Sequence, residues 1–147
     1  MSPYYQGIRD RVGSSLILMP SVAAIIHNPD GALLLQQKSD GSWSLPAGAI
    51  EPGESPQQAL AREVLEESGH SFTSSDLVGI FGGEEFRHTY PNGDQVEYVV
   101  ALYRCAGIQK ITDELDDETA ALQFFPRSNF PGLALPYPIE TLYQNDG

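Results

Sequence analysis

The sequence predicts an α+β fold or an α/β sandwich built on a mixed sheet. Strands and helices are mixed along the chain without a repeating strand–helix unit, one long apolar stretch indicates a central strand, and one amphipathic segment has clear helix start and stop signals. The 147 residues suffice for one compact domain with a full core and are too few for two. We therefore expect residues 1–147 to form a single domain.

The first predicted strands flank a turn. Residues 21–38, SVAAIIHNPDGALLLQQK, contain two short apolar runs joined by turn residues at 27–31, a pattern typical of buried strands. Residues 39–55 are rich in glycine and proline, with Gly48 and Gly53 among the points where the backbone bends freely. This second segment is predicted to be a loop.

A helix is predicted over residues 56–68. Ser55 is a favourable N-cap, Pro56 suits the first helical position, Gln58 completes a capping box and Gly69 is a natural stop. We expect its apolar residues on one side and its carboxylates on roughly the opposite side. The apolar set is Leu60, Ala61, Val64 and Leu65, and the acidic set is Glu63, Glu66 and Glu67.

The crowding of the three glutamates indicates a bound cation. Each like-charge pair three or four residues apart on a helix costs about 0.2–0.5 kcal/mol. A sequence shaped only for stability would place a lysine at one of these sites. We therefore expect a positive group to sit among the carboxylates.

The rest of the chain predicts further strands, an acidic loop and a last helix. Strands are expected at 76–83 and 84–90, an Asn-Gly hairpin turn at 90–95, a long central strand at 96–105, the acidic loop at 113–118, a strand at 120–126 and a helix at 136–144.

The charge balance excludes one class of partner. The chain has 20 acidic and 8 basic residues, for a formal net charge of −12, whereas proteins bind duplex nucleic acid through clustered Lys and Arg. We expect no duplex nucleic acid partner.

A cytoplasmic location and no membrane partner are expected. The first apolar stretch, residues 15–26, is about half the length of a membrane span and contains Pro20, and no signal-peptide pattern surrounds it. The single cysteine, Cys105, rules out an internal disulfide and fits a reducing compartment. The sequence is also compatible with a homodimer.

Residues 48–70, GAIEPGESPQQALAREVLEESGH, resemble the signature box of the Nudix hydrolases. Eight positions match at fixed spacing: Gly48, Glu54, Arg62, Glu63, Val64, Glu66, Glu67 and Gly69. His70 departs from the family pattern, which closes on an aliphatic residue at a packing position. The resemblance implies a Nudix-type α/β/α sandwich with a mixed β-sheet.

The same resemblance implies a reaction. Nudix hydrolases cleave a nucleoside diphosphate linked to another group, with Mg²⁺ or Mn²⁺. The clustered glutamates independently favour metal-dependent chemistry, because an anionic pyrophosphate approaches clustered carboxylates only when cations lie between them. Hard divalent cations take oxygen ligands of this kind. A small-molecule nucleotide substrate is therefore expected.

Site roles follow from the resemblance, position by position. The metal ligands would be Glu63, Glu66, Glu67 and the backbone carbonyl of Ala47, with Glu63 and Glu67 also counted as catalytic. Glu54 and Arg62 are expected to pair and brace the loop against the helix. The base would be a box glutamate or a residue of the acidic loop, Glu118 first and Asp117 second. Arg87, His88 and Tyr90 are candidate substrate contacts, although alternation on an edge strand explains them as well.

The substrate stays open at this point. The segment LPAGAIEPGE, residues 45–54, resembles the ADP-ribose pyrophosphatases, but Phe86 stands where those enzymes tend to have a proline. Dinucleoside polyphosphates, nucleotide sugars, nucleoside triphosphates and mRNA caps are the other candidates. A non-catalytic nucleotide-sensing module is the alternative class. A calcium-binding protein is a weaker third, since the chain has no EF-hand loop.

Overall fold

The computed structural model describes residues 2–143. Its α-helices are α1 (Pro3–Val12), α2 (Pro56–Ser68) and α3 (Ile139–Leu142), and two 3-10 turns lie at Glu84–Phe86 and Arg127–Asn129. The strands are β1 (Ile17–Ile25), β2 (Leu33–Lys38), β3 (Trp43–Ser44), β4 (Ala47–Ala49), β5 (His70–Ser71), β6 (Ser74–Phe81), β7 (Arg87–Thr89), β8 (Gln95–Ala106), β9 (Gln109–Lys110) and β10 (Thr119–Phe125). Across residues 2–143 we find no helix with the length and apolar character needed to cross a membrane.

The main sheet is mixed. Its order is β4-β1-β8-β6, and β7 also pairs with β8. Strand β1 runs parallel to β8, from Ile17 opposite Val96 to Ile25 opposite Arg104, while the other pairings in this sheet are antiparallel. A second sheet has the order β10-β2-β3. The long strand predicted at 96–105 is central, as expected.

Helices cover both faces of the main sheet. On β1, Val22 and Ala24 face a core that includes α2, whereas Ala23 and Ile25 face a core that includes Leu142 of α3. Strand β2 contributes to both cores, because successive strand residues point to opposite faces. The predicted mixed-sheet α/β/α sandwich is therefore confirmed.

Helix α2 begins and ends where its capping residues predict. The Ser55 Oγ accepts a hydrogen bond from the Gln58 N–H at 3.1 Å, and the Gln58 Oε1 accepts one from the Ser55 N–H at 2.9 Å. Gly69 ends the helix in the left-handed conformation, with φ of 70°, which glycine adopts without strain. These contacts fix the direction in which α2 presents its acidic residues.

The predicted division of α2 into an apolar and an acidic face is wrong at three positions. Ala61 is exposed and Leu65 is 41% exposed, whereas Glu67 is 1% exposed. Position 67 lies about two turns from Leu60 and therefore points the same way into the protein. Glu67 thus occupies a core position, and its burial requires hydrogen-bond partners.

Helix α1 has no counterpart among the predicted elements. It is held by few side chains: Tyr5 is buried, and Arg9 is buried and donates hydrogen bonds to the carbonyls of Gly13, Ser15 and Gln95. A charged residue at its core position hides the helical pattern from sequence reasoning.

Three further expectations need correction. The predicted loop at 39–55 contains the short strands β3 and β4, which pair with β2 and β1. The predicted strand at 84–90 begins as a 3-10 turn, because the Phe86 N–H donates a hydrogen bond to the Gly83 carbonyl. In this conformation the Phe86 ring is buried. The last helix spans only 139–142, since prolines interrupt the segment before it; position 144 of the expected range lies outside the described residues.

Candidate active site

Glu67 lies at the centre of the site. Its Oε1 accepts a hydrogen bond from the Gln36 Nε2 at 2.9 Å, and its Oε2 accepts one from the Ala47 N–H at 2.7 Å. Burial raises the pKa of Glu67 to about 8; these two donors oppose the rise and the charge of Glu63 adds to it. A nearby cation would favour its ionised form.

Glu63 sits one turn earlier, against the loop. A Cβ placed on Gly48 would overlap the Glu63 carboxyl group, so only glycine permits this approach of strand to helix. Burial raises the pKa of Glu63 to about 7, Arg62 opposes the rise, and the charges of Glu66 and Glu118 add to it. The carboxylates of the helix and of the acidic loop therefore share one electrostatic environment.

Arg62 joins the loop before α2 to the helix. Its Nε and Nη2 donate to the two carboxylate oxygens of Glu54 at 2.7 and 2.8 Å, and its Nη2 also donates to the Ala49 carbonyl at 3.1 Å. Its Nη1 donates to the Glu63 Oε1 at 2.7 Å and lies 3.5 Å from the Glu66 Oε2. Hydrogen bonds from Arg62 hold the pKa of Glu54 at about 2, so this pair stays ionised at neutral pH.

The acidic loop brings two more carboxylates to Glu67. One carboxylate oxygen from each of Glu67, Asp116 and Glu118 lies within 4.8 Å of the others. Asp117 is exposed and is not part of this group. Sequence reasoning missed Asp116, which a turn at 117–118 brings to the same place as Glu118.

Two other polar residues of the site carry no sequence motif. Gln36 is fully buried and directly follows the three leucines of β2, and Thr119 begins β10. The Thr119 Oγ lies 2.9 Å from the Gln36 Oε1 and 3.0 Å from the Asp116 Oδ1. A glutamine that follows three leucines was the available signal for such a buried polar site.

The donor set fits a hard divalent cation. Three carboxylates gathered at one point offer oxygen ligands of the kind that Mg²⁺ and Mn²⁺ take, and Glu67 is buried among them. Glu66, by contrast, has a side chain that is 49% exposed and oriented toward Arg62. The structure thus groups Glu67 with the acidic loop more closely than with Glu66.

The three candidate substrate contacts lie on and beside β7. The Arg87 Nη2 lies 2.9 Å from the Glu97 Oε1 on the neighbouring strand. The rings of His88 and Tyr90 pack edge to face, with their centroids 4.5 Å apart. The Tyr90 hydroxyl lies 2.6 Å from that of Tyr98. Burial raises the pKa of Tyr98, and Tyr90 and Glu118 contribute to the rise.

Comparison with known proteins identifies the family. The family model described as NUDIX domain matches residues 17–142, a span that contains the sheet, α2 and the acidic loop. The chain belongs to the Nudix family.

Relatives of this Nudix protein include enzymes of different names. The chain is 34% identical over 113 residues to the human 8-oxo-dGDP phosphatase NUDT18, an alignment that covers 75% of this chain and 32% of the human protein. It is 30% identical over 134 residues to the ADP-ribose pyrophosphatase of Methanocaldococcus jannaschii, covering 88% of this chain and 75% of that protein. Our chain therefore spans about a third of the human relative's length.

A solved structure shares the fold. The MutT NUDIX hydrolase from Burkholderia pseudomallei superposes with a TM-score of 0.67, covering 88% of this chain and 99% of that one at 22% sequence identity. This likeness shows that the two chains share the arrangement of their strands and helices.

The Glu54–Arg62 pair predicts an acid-dependent loss of stability. The pKa of Glu54 falls from 4.5 to about 2 on folding, so the pair stabilises the fold above pH 4.5, and this contribution is lost as the pH falls toward 2. Glu54→Gln should lower the free energy of unfolding by about 1–2 kcal/mol at pH 7, and the difference from the wild type should vanish near pH 2. Urea unfolding across this range measures it.

Glu85→Gln is the matched control, because Glu85 is exposed on the 3-10 turn. It should change stability little at any of these pH values. A pH-independent difference between Glu54→Gln and the wild type would contradict the assigned ion pair.

Proposed function

We propose that this protein hydrolyses a pyrophosphate bond in a nucleoside diphosphate linked to another group, using Mg²⁺ or Mn²⁺ and with water as the nucleophile. The observation that carries the proposal is the convergence of Glu67, Asp116 and Glu118 within 4.8 Å. It lies beside β4, where the Glu63 carboxyl group leaves no room for a side chain at Gly48. An anionic substrate reaches such a site only with cations.

We assign the cation to the carboxylates of α2 and the acidic loop. Glu67 and Glu63 are the ligands that α2 supplies from its buried side, and Asp116 joins them from the loop. The carbonyl of Ala47 and the more exposed Glu66 complete the proposed set. When bound, a divalent cation neutralises phosphate charge and acidifies a water molecule.

Other residues hold this set in place. Arg62 and Glu54 brace the loop at 49–54 against α2 through the hydrogen bonds described above. The Ala47 N–H fixes the direction of the Glu67 carboxylate. Catalysis that depends on positioning is sensitive to shifts of about 1 Å, so these contacts matter for rate as well as stability.

Glu118 is our candidate for the catalytic base. It is exposed, it lies within the group of carboxylates at Glu67, and its charge raises the pKa of both Glu63 and Tyr98. An accessible carboxylate in that position accepts a proton from an attacking water. Asp117, the second candidate from sequence, lies outside the group.

The substrate group beyond the diphosphate would contact β7 and its surroundings. Arg87, His88 and Tyr90 are the proposed contacts, with Tyr98 behind Tyr90. The named relatives act on 8-oxo-dGDP in one case and ADP-ribose in the other, and the segment at 45–54 resembles the second class. We therefore place ADP-ribose first among the substrates. The free, buried Cys105 fits a reducing, cytoplasmic compartment.

The reaction is tested with ADP-ribose in ¹⁸O-water. AMP and ribose 5-phosphate are expected with Mg²⁺ or Mn²⁺, with one solvent oxygen in a product phosphate, and EDTA should stop the reaction. Mass spectrometry of both products makes the measurement, and nucleotide sugars, dinucleoside polyphosphates and (d)NTPs extend the screen. Hydrolysis that persists after chelation, or a covalent phospho-enzyme, would contradict the mechanism.

The base is tested by two substitutions in one loop. Glu118→Gln should lower kcat by about 100-fold or more, the usual contribution of a general base, because the amide accepts no proton at neutral pH. Asp117→Asn removes a charge of the same sign from the preceding residue and should change kcat less than threefold, a rough bound for an exposed residue outside the carboxylate group. Steady-state kinetics at saturating Mg²⁺ compares them, and equal losses would remove Glu118 from this role.

A further inference from the structure

A buried amide connects Glu67 to the second sheet. Gln36 is 0% exposed, and its Nε2 donates to the Glu67 Oε1 at 2.9 Å and to the Leu45 carbonyl at 3.3 Å. A backbone carbonyl accepts only, so the amide nitrogen must face Leu45 and the Glu67 Oε1 beside it. The orientation of the Gln36 side chain is therefore fixed, with its carbonyl oxygen turned toward β10.

A single hydroxyl continues the connection to the acidic loop. The Thr119 Oγ lies 2.9 Å from the Gln36 Oε1 and 3.0 Å from the Asp116 Oδ1. Both of these oxygens accept hydrogen bonds, and the threonine hydroxyl has one proton to donate. The Thr119 hydroxyl thus shares its one proton between the amide oxygen and the carboxylate, and among residues 2–143 it is the donor that lies between them.

Only neutral donors hold this set of carboxylates together. Within residues 2–143, no Lys, Arg or His side chain forms an ion pair with Glu67, Asp116 or Glu118. The loop has one more tie to α2, from the Asp116 N–H to the Glu66 carbonyl at 2.9 Å. These three carboxylates are therefore held without an ion pair to a protein cation, whereas Glu63 beside them is paired with Arg62.

We propose that Gln36 and Thr119 are positioning residues that join the acidic loop to α2 and hold Asp116 beside Glu67 before a cation arrives. The inference rests on the proposed function, because it concerns ligands for the same cation. A site assembled in advance loses less conformational freedom on binding. We call the hydrogen-bonded chain Glu67–Gln36–Thr119–Asp116 the relay. Through it, Gln36 and Thr119 raise the affinity for the cation without contacting the cation themselves.

The test uses three threonine variants and the metal alone. Thr119→Val keeps the shape of the side chain and suits a strand but removes the donor, whereas Thr119→Ser retains it. Thr112→Val is the matched control, since Thr112 directly precedes the acidic loop, and its Oγ accepts a bond from the Glu114 N–H and makes no hydrogen bond to a carboxylate among the described residues. Calorimetric titration of Mn²⁺ and Mg²⁺ into the metal-free proteins measures affinity, and melting temperatures report folding.

Thr119→Val should bind Mn²⁺ about tenfold more weakly than the wild type, the scale of one lost hydrogen bond, and Thr119→Ser should recover most of that loss. Thr112→Val should bind as the wild type does. Equal affinity in Thr119→Val and the wild type would overturn the inference, as would an equal loss in Thr112→Val.

Hydrogen exchange separates this inference from the proposed function. In the metal-free protein, amides 115–118 should exchange faster in Thr119→Val than in the wild type and in Thr112→Val, because the loop loses its tie to Gln36. Amide 114 is left out of the comparison because its acceptor is the Thr112 hydroxyl. A wild type that binds no metal would overturn the proposed function, and the exchange rates would still decide the role of Thr119. Unchanged exchange in Thr119→Val would overturn the relay even if the wild type binds Mn²⁺.

Discussion

Desolvated carboxylates that repel one another are the constraint on which this structure depends. Glu67 is buried at a core position of α2, Glu63 lies one turn away, and the acidic loop adds two more acids. Burial disfavours the charged form of each buried acid, as their raised pKa values show. The fold tolerates this because the Gln36 amide and the Ala47 N–H bond to the oxygens of Glu67 and Arg62 pairs with Glu63. The charge of the remaining carboxylates is left for a cation to neutralise.

Several otherwise unrelated features serve that arrangement. The capping contacts of α2 set its direction, and the Glu54–Arg62 pair ties the preceding loop to it. Gly48 lets β4 come close enough for a backbone N–H to reach Glu67. Together these contacts fix the position of the buried Glu67 carboxylate.

The sequence predicted what depends on local signals. The bounds of α2, its caps and the Nudix box all follow from residues that lie close together in the chain, because capping and spacing act over a few positions. The burial of Glu67 could also have been predicted from the sequence, since its angle around the helix matches that of Leu60. The contacts of Glu54 with Arg62 lie within the same short segment.

The rest of the site and helix α1 depend on contacts between segments that are far apart in the sequence, so no local sequence pattern predicts them. Gln36 and Thr119 are 83 positions apart, yet they share a hydrogen bond. Asp116 reaches Glu67 only because β10 pairs with β2. Helix α1 is stabilised by a buried arginine that bonds to carbonyls as far away as Gln95, so its sequence carries little apolar periodicity.

The most direct test of the central claim is the position of Mn²⁺ in a crystal of the wild-type protein. Anomalous scattering at the manganese edge locates the ion independently of any assumption about ligands. The account predicts a peak within bonding distance of a Glu67 carboxylate oxygen and of at least one oxygen from Asp116 or Glu118. A fully occupied Mn²⁺ elsewhere, with these carboxylates bound only to protein donors, would contradict it.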